Sequence, residues 1–333
     1  MDAAKPNAGG GFLLLCAGGI IGGLALYGFL QERIMAMPYG EDEYFKDSVF
    51  LVLNNRVIAM IAGLVMVFVK GESLTGGPPK YLYLIVACSN IAATTCQYEA
   101  LKYVSFPTQT LGKTMKMVPT MVMSKLIGMY YGTPKTYKWV EWLISSAVTS
   151  GCLIFLLTGN ISSKRSKKGG EDSLFGLLLM VGYLGFDAFT PVMQERLFQT
   201  KKYGKASRNA AMFYTNASSA IMSTVYLAST GTLERSIGFV QRNPPFLFDA
   251  TLLSMSTTVS QFAIYATVGN FGALILAAIM NVRQLIQVIL SMVMYQHTPT
   301  AGQVAGLAMV FSALFWQGHL KSQSAKAKDK KKE

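Results

Sequence analysis

Thr108-Gln109-Thr110-Leu111-Gly112-Lys113-Thr114-Met115-Lys116-Met117-Val118-Pro119 sets two lysines three residues apart inside an apolar run, and Ala277-Ala278-Ile279-Met280-Asn281-Val282-Arg283-Gln284 sets an arginine inside another. Both runs belong to stretches apolar enough to cross a bilayer. A cation there costs roughly 2.5 to 3.5 kcal/mol even on the lenient insertion scale, so it marks a substrate or ion path. The expected cargo is anionic.

The composition agrees with a membrane setting. Hydrophobic residues make up 51% of the 333 and charged residues only 14%, too little polarity to coat a soluble globule. Apolar runs near the length of about 20 residues that a membrane helix needs recur along the whole chain. The reading is an all-α membrane protein with spans near 11–31, 48–69, 81–101, 107–130, 138–157, 173–195, 209–229, 246–268, 271–294 and 300–320. The first run has neither the basic flank nor the cleavage site of a signal peptide, so it counts as a span.

Ten spans put both termini on one face. With that face cytosolic, Lys70, Lys80, Lys135, Lys138, Arg196, Lys201, Lys202, Lys205, Arg208 and the basic tail all fall inside, while Glu41, Asp42, Glu43 and Asp47 fall outside. Lys164, Arg165, Lys167 and Lys168 run against this pattern, beside Glu171 and Asp172. Trp139, Trp142 and Trp316 sit at span ends, as interface anchors do.

Several function classes drop out. The net charge of +13 lies mostly in short loops and in the tail lysines, without aromatic interleaving or a nucleic-acid motif, so no nucleic-acid partner is expected. Cys16, Cys88, Cys96 and Cys152 lie in or beside apolar runs without zinc-ligand spacing and read as small buried hydrophobes. His297 and His319 lack the serine or cysteine and carboxylate setting of nucleophilic catalysis. The expectation is no enzyme, no metal and no cofactor.

An internal repeat organises the rest. Met129-Tyr130-Tyr131-Gly132-Thr133-Pro134 returns as Met294-Tyr295-Gln296-His297-Thr298-Pro299 at a separation of 165, and Tyr98 and Lys116 map onto Tyr265 and Arg283 at 167. The chain then divides into five-helix repeats at 1–160 and 161–320, with a basic cytosolic tail at 321–333. Because five is odd, the second copy enters the membrane inverted, the architecture around which many secondary carriers build a midplane site.

The stretch Cys96 to Lys113, continuing through Lys116 and Pro119, resembles the signature of the UDP-sugar, adenine-nucleotide and 3′-phosphoadenosine 5′-phosphosulfate (PAPS) branch of the nucleotide-sugar transporter family. Gly28 to Arg33, Gly185 to Thr190, and Phe271-Gly272-Ala273 running into Ile279 to Gln284 resemble it as well. Within that branch, Gln97 to Gln109 and Phe186 to Thr190 are most similar to the members that carry PAPS into the Golgi. Leu111-Gly112 before the first lysine is as similar to the ATP and UDP-galactose members. The resemblance implies a drug/metabolite-transporter fold and an antiporter in the Golgi membrane, or cycling between ER and Golgi. Its cargo would be PAPS against an adenine nucleotide monophosphate, with a UDP-galactose or other nucleotide-sugar or ATP exchanger as the alternative.

The residues expected to meet such a cargo follow from its chemistry. Lys113 and Lys116 project from nearly one helix face, and Arg283 offers a planar fork for phosphate or sulfate. Tyr98, Gln109, Tyr265 and Gln284, with Gln97 and Gln261, offer hydrogen bonds or stacking, or else serve as helix-to-helix glue. Two roles are open to Glu32: balancing the lysines in the empty carrier, or pairing with Arg33 at the interface. Asp187, deep in the sixth span, is either the partner of a basic residue or a hydrogen-bonding cap within the bundle.

The tail Lys330-Lys331-Lys332-Glu333 resembles the dilysine signal that coat proteins read on cytosolic tails; the alternative is attraction to anionic membrane lipid, about 1 kcal/mol per residue. Replacing Lys330 and Lys331 with serine separates the two. Fluorescence localisation is expected to show the variant in later Golgi or at the cell surface, and an unmoved protein would rule the retrieval signal out.

Overall fold

The computed structural model describes residues 10–40, 42–45, 47–75, 77–100, 103–104, 113–133, 135–158, 174–199, 207–294 and 300–329. Eleven helices form among them, and no strand beyond an isolated bridge between Tyr39 and Glu43. They are α1 (Gly10–Ala36), α2 (Ser48–Val69), α3 (Lys80–Ala100), α4 (Met117–Tyr130), α5 (Trp139–Leu157), α6 (Leu174–Gln199), α7 (Arg208–Ser229), α8 (Thr232–Arg242), α9 (Pro244–Phe271), α10 (Ala273–Met294) and α11 (Ala301–Asp329). Gly10–Met35, Val49–Val69 and Leu174–Gln199 are long and apolar enough to cross a membrane.

Burial is arranged for lipid. Leu14 is 74% exposed, Val69 72% and Phe315 80%, whereas Asn216 is 1% and Asn281 and Thr267 are 0% exposed. In hydrocarbon a polar group must find its partner inside the protein. Many do so on their own helix: Thr120, Thr149, Thr190, Thr224, Thr258 and Thr267 donate to the carbonyl four residues back. Cys88 departs from the expectation of burial, since its side chain is exposed on the outer face of α3, where apolar surroundings suit a thiol equally well.

Two compact units divide the chain, one formed by Met1–Ile91 and Met193–Leu276, the other by Ala92–Val192 and Ala277–Glu333. In the first, α1 packs on α9 and α2 on both α7 and α9. Its end is closed by the described residues of 37–47 and by α8, an amphipathic helix that the sequence reading missed because eleven mixed residues give no apolar run. There Asp47 pairs with Arg235 and accepts from Ser236, and Glu43 pairs with Arg242 at 3.2 Å and accepts from Asn243 at 2.9 Å. Beneath these pairs Tyr39, Phe45, Phe239 and Phe246 form an aromatic cluster. The Tyr39 hydroxyl donates to Asp249 at 2.8 Å, and burial, reinforced by that carboxylate, holds the phenol above its ordinary pKa.

The second unit is organised by a close crossing of α5 and α11. Gly151 and Gly306 face each other there: a Cβ on Gly306 would lie 2.6 Å from the Gly151 carbonyl oxygen and 2.7 Å from the Phe155 nitrogen. Small residues let backbones approach in this way in membrane bundles. Gly306→Ala is expected to lower the thermal midpoint by forcing the helices apart, a loss of about 1–3 kcal/mol. Gly22→Ala, where the added methyl meets nothing within 4 Å, is expected to be neutral or stabilising. A fluorescence-detected melt of both variants in detergent checks this.

Candidate functional site

Proline decides where the lysines stand. Pro119 has no N–H for the carbonyl of Met115, and its ring crowds that oxygen, so a helix cannot run through this point undisturbed. The chain is helical at Lys113 and Thr114, turns at Met115 and Lys116, and resumes as α4 from Met117, with Lys116 at the N-cap. This corrects the expectation of one straight helix face carrying both lysines. The helix dipole opposes a cation at an N-terminus, so Lys116 is placed where an anion is favoured.

That anion is Asp187. The Lys116 Nζ lies 3.0 Å from its Oδ2, with the two side chains 16% and 32% exposed. Pro191 on α6 leaves the carbonyl of Asp187 without its usual helical N–H partner, so the same side chain sits beside a missing rung in the hydrogen-bond ladder of its helix. Of the two roles open to Asp187, pairing with a basic residue is the one observed. Lys113, Arg283 and the Tyr183 hydroxyl lie within electrostatic range of the pair. Tyr183, one turn before Asp187, is held by Ala93, Ala100, Val104 and Met180. Its position four residues before a membrane carboxylate was the signal available in the sequence.

Arg283 comes from α10. Asn281, two residues earlier and fully buried, donates its Nδ2 to the Thr114 carbonyl at 3.0 Å, tying this stretch of α10 to the lysine segment. The Arg283 Nε and the Asn281 Oδ1 are buried with no hydrogen-bond partner among the described residues. Among the described residues the result is three cations and one carboxylate within electrostatic range of one another, all in the unit formed by Ala92–Val192 and Ala277–Glu333. Such a cluster has two positive charges to offer and an unspent donor on a group suited to bidentate oxyanion recognition. Gln284, 9% exposed, belongs to the same unit.

The profile of the UAA transporter family matches residues 12–321. The chain belongs to the UAA transporter family. Among UAA transporters and their kin, it is 43% identical to adenosine 3′-phospho 5′-phosphosulfate transporter 1 of Dictyostelium discoideum, over 92% of this chain and 83% of that protein. UDP-galactose/UDP-glucose transporter 5 of Arabidopsis thaliana is 42% identical over 92% and 87%. Human adenosine 3′-phospho 5′-phosphosulfate transporter 1 is 38% identical over 95% and 72%. A crystal structure with 9% identity superposes at a TM-score of 0.62 over 90% of this chain and 95% of that one, a likeness of fold alone.

The other expected residues of this UAA transporter fall elsewhere. Tyr265 is buried on α9, in the unit formed by Met1–Ile91 and Met193–Leu276. Glu32 lies on α1 and Tyr98 on α3, but their side chains are outside the described residues, as are all of Gln109, Lys330 and Lys331. Arg33, one of the partners open to Glu32, lies 3.5 Å from Asp249. The sequence reading passed over Arg56, a further cation inside an apolar span, although Asn54-Asn55-Arg56 interrupts the apolar run of α2 as plainly as the lysines interrupt theirs.

Removing Asp187 tests the electrostatics. Asp187→Asn leaves Lys116 without a carboxylate and is expected to lower unfolding stability by about 1–3 kcal/mol in a ligand-free melt. Adding Lys116→Ala to that variant is expected to restore most of the loss. Equal midpoints for wild type and Asp187→Asn would show that the pair is not what balances the cluster.

Proposed function

We propose that this chain is an antiporter that takes 3′-phosphoadenosine 5′-phosphosulfate from the cytosol into the lumen of the Golgi and returns an adenine nucleotide monophosphate. The observation that carries the reading is the cluster of Lys113, Lys116 and Arg283 around the carboxylate of Asp187. Its net positive charge suits a cargo bearing a phosphate ester and a phosphosulfate. Membership of the UAA family and relatives whose names specify adenosine 3′-phospho 5′-phosphosulfate transport support the choice of cargo.

In this reading Asp187 stands in for the cargo when the carrier is empty. An incoming sulfate or phosphate oxygen competes with the carboxylate for Lys116 and supplies acceptors to Lys113 and to the buried Nε of Arg283. Uncompensated cations in a dry interior are costly, so reorientation with an anion bound is favoured over reorientation without one, and exchange follows. The architecture proposed for this cycle is ten spans in two inverted five-helix repeats, 1–160 and 161–320, that alternate access by rocking. Lys330 and Lys331 are proposed as the address that returns the protein from Golgi to ER.

A second cargo has its own support. The Arabidopsis relative named for UDP-galactose and UDP-glucose is nearly as similar as the Dictyostelium one, and a UDP-sugar also brings a diphosphate.

Uptake into proteoliposomes decides between them. PAPS uptake is expected to exceed that of UDP-galactose and ATP and to accelerate when adenosine 3′,5′-bisphosphate is loaded inside; faster UDP-galactose uptake would replace the first reading with the second. Lys113→Ala, Lys116→Ala and Arg283→Ala are each expected to reduce uptake roughly 10- to 100-fold, the scale of about 1.5–3 kcal/mol for a charged hydrogen bond. Near-normal uptake by Arg283→Ala would remove it from the site.

A further inference from the structure

Arg56 stands nine residues into α2, about 12 Å along the helix from its start, well inside a span that crosses a bilayer core of about 30 Å. Its neighbours come from four other helices of the same unit. Nη1 donates to Asn216 Oδ1 on α7 and Nη2 to Asn90 Oδ1 on α3, both at 3.3 Å. Tyr27 of α1 and Tyr265 of α9 lie within electrostatic range. The guanidinium therefore faces the interior of the helix group, yet the residue keeps part of its surface accessible. Among the described residues no carboxylate lies within ion-pair distance of it.

The Asn216 amide is held in place by other contacts. Asn216 donates its Nδ2 to the Met212 carbonyl at 2.8 Å and to Gln261 Oε1 at 2.9 Å. A carbonyl can only accept, so the Nδ2 end must face Met212, and the Oδ1 end is left to face Arg56. Two long hydrogen bonds to neutral amide oxygens use two of the five guanidinium donors and do nothing for the net charge. Structural arginines inside membranes are ordinarily paired with an acid or take backbone carbonyls. This one has neither among the described residues.

We propose that Arg56 is a second oxyanion-binding point, contained in the unit formed by Met1–Ile91 and Met193–Leu276 and held by Asn90 and Asn216 with its remaining donors open to a phosphate or sulfate group. The inference rests on the nucleotide reading of the cargo only for the source of that group: a phosphate or sulfate ester of the transported nucleotide, or a free inorganic oxyanion. The planar fork suits either, because both present two oxygens at the spacing of two parallel N–H donors.

The test uses the full chain in lipid nanodiscs with two probes, adenosine 3′,5′-bisphosphate and inorganic sulfate, read by thermal shift and titration. Arg56→Gln removes the charge and is expected to weaken bisphosphate binding at least tenfold and to reduce the sulfate-induced rise in midpoint. Asn90→Asp keeps Arg56 but places a carboxylate against it. That variant is expected to raise the ligand-free midpoint while losing oxyanion affinity as Arg56→Gln does.

A purely structural arginine differs in affinity alone, because Asn90→Asp would then raise the midpoint and leave affinity unchanged; that outcome overturns the proposal. So does wild-type affinity in Arg56→Gln, or failure of the wild type to respond to either probe. An Arg56-dependent response to sulfate without one to bisphosphate keeps the oxyanion point and removes the nucleotide reading. If Arg56→Gln does not fold, Asn90→Asp alone carries the decision, since it retains every donor of Arg56.

Discussion

An ammonium 3.0 Å from a carboxylate inside an apolar bundle is the interaction on which the candidate site depends. Lys113, Lys116 and Arg283 repel one another, and each has left water to reach its place. Asp187 makes their assembly tolerable without cancelling it. A second carboxylate would halve the surplus charge, and none would leave three cations with no counter-ion. The surplus of positive charge is what an anionic cargo can exploit, and the Asp187 carboxylate is what allows the cluster to exist before the cargo arrives.

The surroundings serve that balance. Pro119 breaks the chain after the first lysine and sets Lys116 at the start of α4, and Pro191 interrupts the backbone pairing of α6 beside Asp187. The Asn281 to Thr114 hydrogen bond ties the lysine segment to the helix that carries Arg283. A comparable device shapes the start of α10. Gly272, at a φ of +89°, turns the chain between α9 and α10, and the Glu195 carboxylate accepts from the Ala273 N–H at 3.2 Å, satisfying a helix N-terminus with negative charge. A side chain on Gly272 would strike that carboxylate at 2.5 Å, so glycine is needed for both space and conformation.

The same solvent logic governs the rest of the molecule. With hydrocarbon outside, the apolar side chains turn outward, and serine, threonine and asparagine turn inward to bond their own helices or their neighbours. Attraction between helices then comes from close contact, as at Gly151 and Gly306, more than from burial of apolar area. The end formed by the described residues of 37–47 and α8 returns to the pattern of a soluble protein, with aromatic rings beneath and ion pairs above.

Much of this was legible in the sequence. Each apolar run contains a helix, because about 20 apolar residues in a row leave the backbone no other way to satisfy its polar groups in lipid. Lys113, Lys116 and Arg283 stood out for the same reason, since a charge in such a run is expensive and therefore meaningful. Pairing needed the tertiary structure. Asp187 lies 71 residues from Lys116, and periodicity carries no information about which acid meets which base across that separation. Arg56 shows the converse: its charge was as visible as the others, but its neutral amide partners are drawn from helices far apart in the chain, and only their packing reveals a guanidinium with donors to spare. Local chemistry along one helix decided where charge is unusual; which helices touch decided what balances it.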